Sequence, residues 1–193
     1  MNIEFKGSPN FSSRVGQKIT EIIIHWFGVG TLESANTRFQ NPANKSSAHY
    51  GISKGRIWQW VKEENTAWHA GNLSVNQKSI GIEHDATLND HDLSEQDYQL
   101  SGQLIREIAN RYKIPLDRAH IKGHKEIKPT QCPGTVDIDK IIKIAKEQNM
   151  TQFKTQNYKG ELRIVLQADS MITWEAICKV YGVDPKKIDE IIT

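Results

Sequence analysis

The feature that most constrains the fold is the run Glu21–Trp26, EIIIHW, in which three consecutive isoleucines precede a histidine. A continuous β-branched run of this length is typical of a central strand that is covered on both faces. Gly28 and Gly30 follow and end the strand. Because such a strand needs packed layers on both sides of its sheet, the run predicts an α/β fold.

Other periodic segments supply the rest of this architecture. Alternating or β-branched residues predict further strands at His49–Ser53, Arg56–Val61 and Ser79–His84. Helices are predicted over 32–40, over 95–112 behind a capping box at Ser94, and from Asp137 or Asp139 through Ala145. The arm at 1–18, the stretch 65–76 and the segment that holds His124 and Cys132 lack clear periodicity and are predicted to be irregular.

Composition sets the domain organisation and excludes several classes of protein. The polar stretch 151–160, TQFKTQNYKG, predicts a linker between a domain at 1–150 and a small C-terminal module at 161–193. No run approaches the roughly 18 apolar residues of a membrane span, and the first residues lack the apolar core of a signal peptide. We therefore expect a chain made in the cytoplasm, without membrane insertion. A formal net charge of +2 is too balanced for a nucleic-acid partner, and nothing requires more than a monomer.

Three residues have the chemistry of a metal site. A catalytic zinc takes three protein ligands and keeps one position open, and imidazole and thiolate are both suitable donors. His25 lies near the end of the buried strand, whereas His124 and Cys132 share a loop. Spacing alone leaves two alternatives open. In the first, the two histidines are structural and the thiol of Cys132 is buried and inert. In the second, Cys132 is a nucleophile with His124 as its base.

Glu83 is the candidate general base. Strand alternation places it opposite Ile80 and Ile82, so it faces away from that apolar layer. A carboxylate inside a sheet is costly unless it is paired or functional, and near a metal-activated water it could accept a proton. The alternative is an ordinary ion-paired glutamate.

Seven blocks of sequence then occur in one order along residues 8–145. They are SPNFSSR at 8–14, IIIHWFG at 22–28, SAHYGIS at 47–53, TAWHAGN at 66–72, SIGIEHD at 79–85, KGHKEI at 122–127 and TQCPG at 130–134. In these blocks the sequence resembles the zinc-dependent N-acetylmuramoyl-L-alanine amidases, a family that includes phage lysozyme-type amidases, the bacterial anhydro-muropeptide amidase and the peptidoglycan-recognition proteins. The resemblance implies a central mixed β-sheet flanked by helices.

The resemblance also implies roles for individual residues. His25, His124 and Cys132 match the ligands of one Zn²⁺ per chain. Glu83 matches the glutamate assigned as general base in the recycling branch, and Tyr50 matches a tyrosine that contacts the metal-bound water or the substrate carbonyl. The resemblance leaves open which of the two dominates proton transfer.

Other matching positions point to the substrate. Thr130 stands where several branches carry an oxyanion-stabilising lysine. Its hydroxyl is expected to help stabilise the oxyanion by donating a hydrogen bond, but it brings no full charge, so more of the stabilisation is expected to rest on zinc. Trp26, Trp68 and His69 are expected to contact substrate, since aromatic rings suit stacking on sugar or peptide.

The function implied is hydrolysis of the amide bond between N-acetylmuramic acid and L-alanine in peptidoglycan. We expect a phage endolysin that reaches the wall after another protein permeabilises the membrane. The alternatives are a cytosolic amidase that recycles muropeptides and a module that binds peptidoglycan without cutting it. Residues 164–183 faintly resemble the LysM wall-binding module, without its Gly-Asp-Thr signature; the alternative is a helical cap packed on the catalytic domain. Cys178 within them is expected to be a core residue.

Overall fold

The computed structural model describes residues 1–28, 30–86 and 93–147, together with the backbone of 153–158 and 161–166. The chain divides into two compact units, Met1–Glu147 and Gln148–Thr193. The first unit carries every site residue named above.

A mixed sheet of six strands forms the centre of the first unit. Its members are β1 (Ile3–Phe5), β3 (Glu21–Trp26), β4 (Tyr50–Ser53), β5 (Arg56–Gln59), β7 (Ser79–His84) and β8 (Ile121–Gly123), in the order β1-β5-β4-β7-β3-β8. Only β4 and β5 pair antiparallel, while β7, β3 and β8 are adjacent and parallel. Two further strands, β2 (Phe11–Ser13) and β6 (Asn65–Ala67), form a separate antiparallel pair.

Helices cover both faces of the sheet. The α-helices among the described residues are α1 (Leu32–Gln40), α2 (Leu73–Lys78), α3 (Glu95–Tyr112) and α4 (Ile138–Glu147). On one face, Ile24 and Ile82 are fully buried in a core shared with α3 and α4. On the other, Trp58 and Trp60 form a second core with Phe39 of α1. The expected α/β class, with a mixed sheet flanked by helices, is confirmed.

The N-terminus of α3 explains why this helix begins where the sequence predicts. The Ser94 hydroxyl caps it by accepting a hydrogen bond from the Asp97 amide. The Asp97 carboxylate in turn accepts from the amides of Lys54 and Gly55, in the turn between β4 and β5. The cap therefore also ties the hairpin to the helix.

The regions without periodicity contain short elements that the sequence did not predict. The N-terminal arm contains β1 and β2, the stretch 65–76 contains β6 and the start of α2, and β8 precedes His124. Three-residue strands are too short to produce a recognisable alternation of apolar and polar residues.

The second unit is described only in part. Strands β9 (Phe153–Tyr158) and β10 (Glu161–Leu166) pair antiparallel. Strand β9 thus lies within the stretch 151–160 that was expected to be a linker. Residues 167–183, which carry most of the LysM-like pattern and Cys178, lie outside the described residues.

Candidate metal centre and active site

The three expected ligands converge at the carboxyl ends of adjacent parallel strands. His25 is the fifth residue of β3, and His124 follows β8 directly. One candidate ligand atom from each of His25, His124 and Cys132 lies within 4.8 Å of the others. His25 Nδ1 is 3.6 Å from Cys132 Sγ, and the two imidazole centroids are 4.5 Å apart. Two imidazoles and one thiolate form a donor set that suits Zn²⁺ and leaves a fourth position open.

Hydrogen bonds identify which nitrogen of each imidazole faces the cluster. His25 Nε2 lies 2.9 Å from Nδ1 of His69, and His124 Nε2 donates to the Ala70 carbonyl at 3.1 Å. Nδ1 is therefore the nitrogen that each ring has available for a metal. Burial lowers the pKa of His25 far below its usual value and also lowers that of His124. Both rings are thus neutral, the form that binds metal.

The environment of Cys132 disfavours its use as a free nucleophile. The residue is buried, and burial raises the pKa of its thiol, with the charge of Glu83 adding to the effect. Reactive cysteines instead have a lowered pKa. A metal would displace the thiol proton on binding, so the site suits a ligand better than a nucleophile.

Glu83 lies beside this cluster. It is the direct register partner of His25 across β7 and β3, so both side chains leave the same face of the sheet. Its Oε2 is shielded from solvent and has no hydrogen-bond partner among the residues that the structure describes. Burial raises the pKa of this carboxyl to about 8. A carboxyl poised near neutral pH is suited to accept and return a proton.

The structure does not bring Tyr50 to the cluster, which corrects the role that the resemblance implied. Tyr50 pairs with Ile82 rather than with Glu83, so its ring points to the opposite, apolar face of the sheet. There its hydroxyl donates to Glu63 Oε1 at 2.9 Å and accepts from Gln59 at 3.1 Å. Burial raises the pKa of Tyr50 well above its usual value, so the phenol stays protonated.

Thr130 and Trp26 flank the third ligand. The Thr130 hydroxyl oxygen accepts a hydrogen bond from the Cys132 amide at 3.2 Å, which leaves its own proton free to be donated. The Trp26 ring packs against Gly134, where any Cβ would lie 2.2 Å from the indole. Both residues therefore border the position of Cys132.

Trp68 and His69 lie on the loop after β6. The Trp68 indole donates to the Ser12 hydroxyl at 3.2 Å and is half-buried. Both ring nitrogens of His69 contact protein groups, Nδ1 with His25 and Nε2 with Ser79. His69 therefore lies behind a ligand and does not present an open nitrogen to substrate.

The supporting groups of the ligands were missed by sequence reasoning. The Ala70 carbonyl binds His124, and the Ala70 amide donates to the buried Asn76 side chain at 2.8 Å. Ser79 supports His69. A carbonyl oxygen carries no side-chain signal, and the block TAWHAGN was the only indication that this loop mattered.

Fold and cluster define an α/β protein with a His–His–Cys set, able to bind a metal ion, at the carboxyl ends of its central strands. The family model described as N-acetylmuramoyl-L-alanine amidase matches residues 15–135. The chain belongs to this family. Within the part of the chain that the structure describes, no helix is long and apolar enough to cross a membrane.

Curated relatives carry the same family name. N-acetylmuramoyl-L-alanine amidase A of Achromobacter lyticus is 42% identical over 80 residues, which cover 40% of this chain and 43% of the relative. N-acetylmuramoyl-L-alanine amidase CwlH of Bacillus subtilis is 32% identical over 97 residues, or 49% of this chain and 37% of the relative. The matches thus span less than half the length of these relatives.

Solved structures share the fold. A mutant endolysin from Bacillus subtilis aligns with a TM-score of 0.57 and 29% identity, over 69% of this chain and 90% of that one. A selenomethionine derivative of AmpD aligns with a TM-score of 0.64 and 22% identity, over 74% of this chain and 93% of that one. At this identity the likeness to AmpD concerns the fold alone.

Proposed function

We propose that this chain hydrolyses the amide bond between the lactyl group of N-acetylmuramic acid and L-alanine in bacterial peptidoglycan, with one Zn²⁺ held by His25, His124 and Cys132. The observation that carries the proposal is the juxtaposition of two imidazoles and a buried thiol with Glu83, whose buried Oε2 has no hydrogen-bond partner among the described residues. Family membership supports the choice of substrate.

The chemistry divides between the metal and the protein side chains. When bound, Zn²⁺ supplies a Lewis acid that polarises the scissile carbonyl and lowers the pKa of water. Glu83 accepts the proton of the attacking water as the new C–O bond forms. It then returns that proton to the amine nitrogen as the C–N bond breaks, leaving a free alanine amine and a lactyl carboxylic acid, which loses its remaining proton to solvent. The Thr130 hydroxyl donates to the carbonyl oxygen as negative charge develops there.

Trp26 and Trp68 are also proposed to contact the substrate. Both rings are half-buried, so each combines a fixed position with some exposed surface. Aromatic surface of this kind suits the apolar face of a sugar or the stem peptide.

The biological role we propose is cell-wall lysis as an endolysin. Likeness at 29% identity to a structure described as an endolysin supports this role, and a role in recycling is the alternative. We further propose that residues 161–193 assist wall binding. Digestion of intact sacculi compared with soluble muropeptides separates the two roles, because a lytic enzyme should release peptides from the insoluble wall and a recycling enzyme should act only on soluble fragments.

The general-base and ligand assignments are tested with two variants. Glu83→Gln should keep one zinc per chain, measured by atomic absorption, and lose roughly 10²–10⁴-fold in turnover. Cys132→Ala should lose both zinc and activity because one of three ligands is gone. Near-normal turnover in Glu83→Gln, or stoichiometric zinc in Cys132→Ala, would overturn the corresponding assignment. A wild-type protein that binds sacculi and releases no peptide would mean a binding module.

A further inference from the structure

A chain of hydrogen bonds runs behind His25, away from the other two ligands. His25 Nε2 lies 2.9 Å from His69 Nδ1, and His69 Nε2 lies 3.2 Å from the Ser79 hydroxyl. The Ser79 hydroxyl lies 2.7 Å from the carbonyl oxygen of Val75, in α2. The chain thus connects a backbone carbonyl to a metal-ligand candidate through two side chains.

The carbonyl at the far end fixes the direction of every bond. A carbonyl oxygen only accepts, so the single proton of the Ser79 hydroxyl is donated to Val75. Ser79 Oγ must then accept from His69 Nε2–H. A neutral imidazole has one N–H, so His69 Nδ1 is an acceptor and His25 Nε2 carries the proton. The lone pair of His25 is consequently on Nδ1, the nitrogen 3.6 Å from Cys132 Sγ.

The opposite direction of these hydrogen bonds would hinder metal binding. If Ser79 donated to His69, the Val75 carbonyl would lose this donor and the proton of His25 would lie on Nδ1. That proton would occupy the position a metal needs and would have to leave before binding.

We propose that Ser79 and His69 are positioning residues, which hold His25 in the tautomer and ring orientation that present Nδ1 to the metal before it arrives. The inference rests on the proposed metal site and concerns how the apoprotein is organised. Outer partners of this kind alter metal affinity by about 10–100-fold when they are removed. His124 offers a built-in comparison, because its Nε2–H donates to the Ala70 carbonyl without involving Ser79.

The first test measures the tautomers directly in the metal-free wild-type protein. Long-range ¹H–¹⁵N correlation at neutral pH should give the Nε2–H form for His25, His69 and His124. A proton on Nδ1 of His25 or of His69 would overturn the proposal. This measurement needs neither zinc nor peptidoglycan, so its outcome is independent of whether the protein cleaves the proposed bond.

The second test measures zinc affinity by competition with a chelator. Ser79→Ala should bind zinc about tenfold more weakly, and His69→Leu about 10–100-fold more weakly. His69→Asn should bind more tightly than His69→Leu, because its amide oxygen can replace Nδ1 as acceptor. The matched control is Ser53→Ala, which removes another buried hydroxyl of the same sheet, one that donates to Asp85, and should leave affinity unchanged. Wild-type affinity in both Ser79→Ala and His69→Leu would refute the proposal.

Discussion

Replacing Gly81 by alanine tests whether the packing behind His25 controls the metal site. Gly81 lies in β7 directly beneath the His69 ring, and a Cβ there would lie 2.5 Å from Cγ and 2.7 Å from Nδ1 of that ring. Ordinary contacts begin at 3.4 Å, so the ring must move by about 1 Å to reach normal van der Waals separation. The atom displaced is the one that accepts the hydrogen bond from His25.

The expected magnitude follows from this displacement. Overpacking in a filled core costs about 1–3 kcal/mol, which lowers Tm by roughly 3–10 °C for a domain of this size. Because the partner of His25 also moves, zinc affinity should fall by about 10–100-fold. Thermal unfolding of the metal-free protein and chelator competition measure the two effects separately.

Gly102→Ala is the matched control for this variant. Its Cβ would lie 2.4 Å from a methyl group of Ile144, where α3 packs on α4. The two variants should therefore lose similar stability, and only Gly81→Ala should lose zinc affinity. Wild-type zinc affinity in Gly81→Ala, or an equal loss of zinc affinity in Gly102→Ala, would show that the packing behind His25 does not control the metal site.

Three other outcomes follow from the same structure. Tyr50→Phe should keep turnover within about threefold and lose about 1.5–3 kcal/mol of stability, the worth of its hydrogen bond to the Glu63 carboxylate; a large loss of turnover would return Tyr50 to the site. Glu83→Gln should stabilise the metal-free protein by about 1–3 kcal/mol at pH 8 and by less at pH 5. Burial raises the pKa of the Glu83 carboxyl in the folded protein to about 8, so this carboxyl destabilises the folded state increasingly as pH rises above the pKa of the unfolded chain. Equal Tm values of the variant and the wild type at pH 8 would contradict this. Burial and the adjacent Arg14 charge lower the pKa of His49 to about 3. Below about pH 6.5 the His49 side chain is therefore protonated in the unfolded chain and neutral in the folded one, so the free energy of unfolding should fall on acidification from pH 6.5 to 3. His49→Asn should reduce the slope of this pH dependence by up to about 1.4 kcal/mol per pH unit.

Long periodic segments made most of the fold predictable. The isoleucines of β3, the alternation in β7 and the apolar face of α3 each identify an element by themselves. The short strands were not predictable, because a strand such as β8 is specified by its pairing with β3 and not by its own three residues.

Sequence motifs and the alternation of side chains along strands predicted part of the candidate site. Alternation alone placed Glu83 away from the Ile82 face, and the register partner His25 agrees with it. The position of Tyr50 was not predictable in this way, because the face that its side chain takes depends on the register between β4 and β7, which no single strand encodes. The bonds that hold His69 and Ser79 depend on tertiary packing and left no local pattern.

Mass spectrometry of digested peptidoglycan tests whether the protein is a zinc-dependent amidase that cleaves the bond between N-acetylmuramic acid and L-alanine. Sacculi are incubated with the zinc-loaded protein, with the chelated protein and with Glu83→Gln, and the products are identified by mass. We expect stem peptides with a free N-terminal alanine and glycan strands with intact lactyl groups, from the zinc-loaded wild type alone. Cleavage at any other bond, or equal cleavage by the chelated protein, would contradict it.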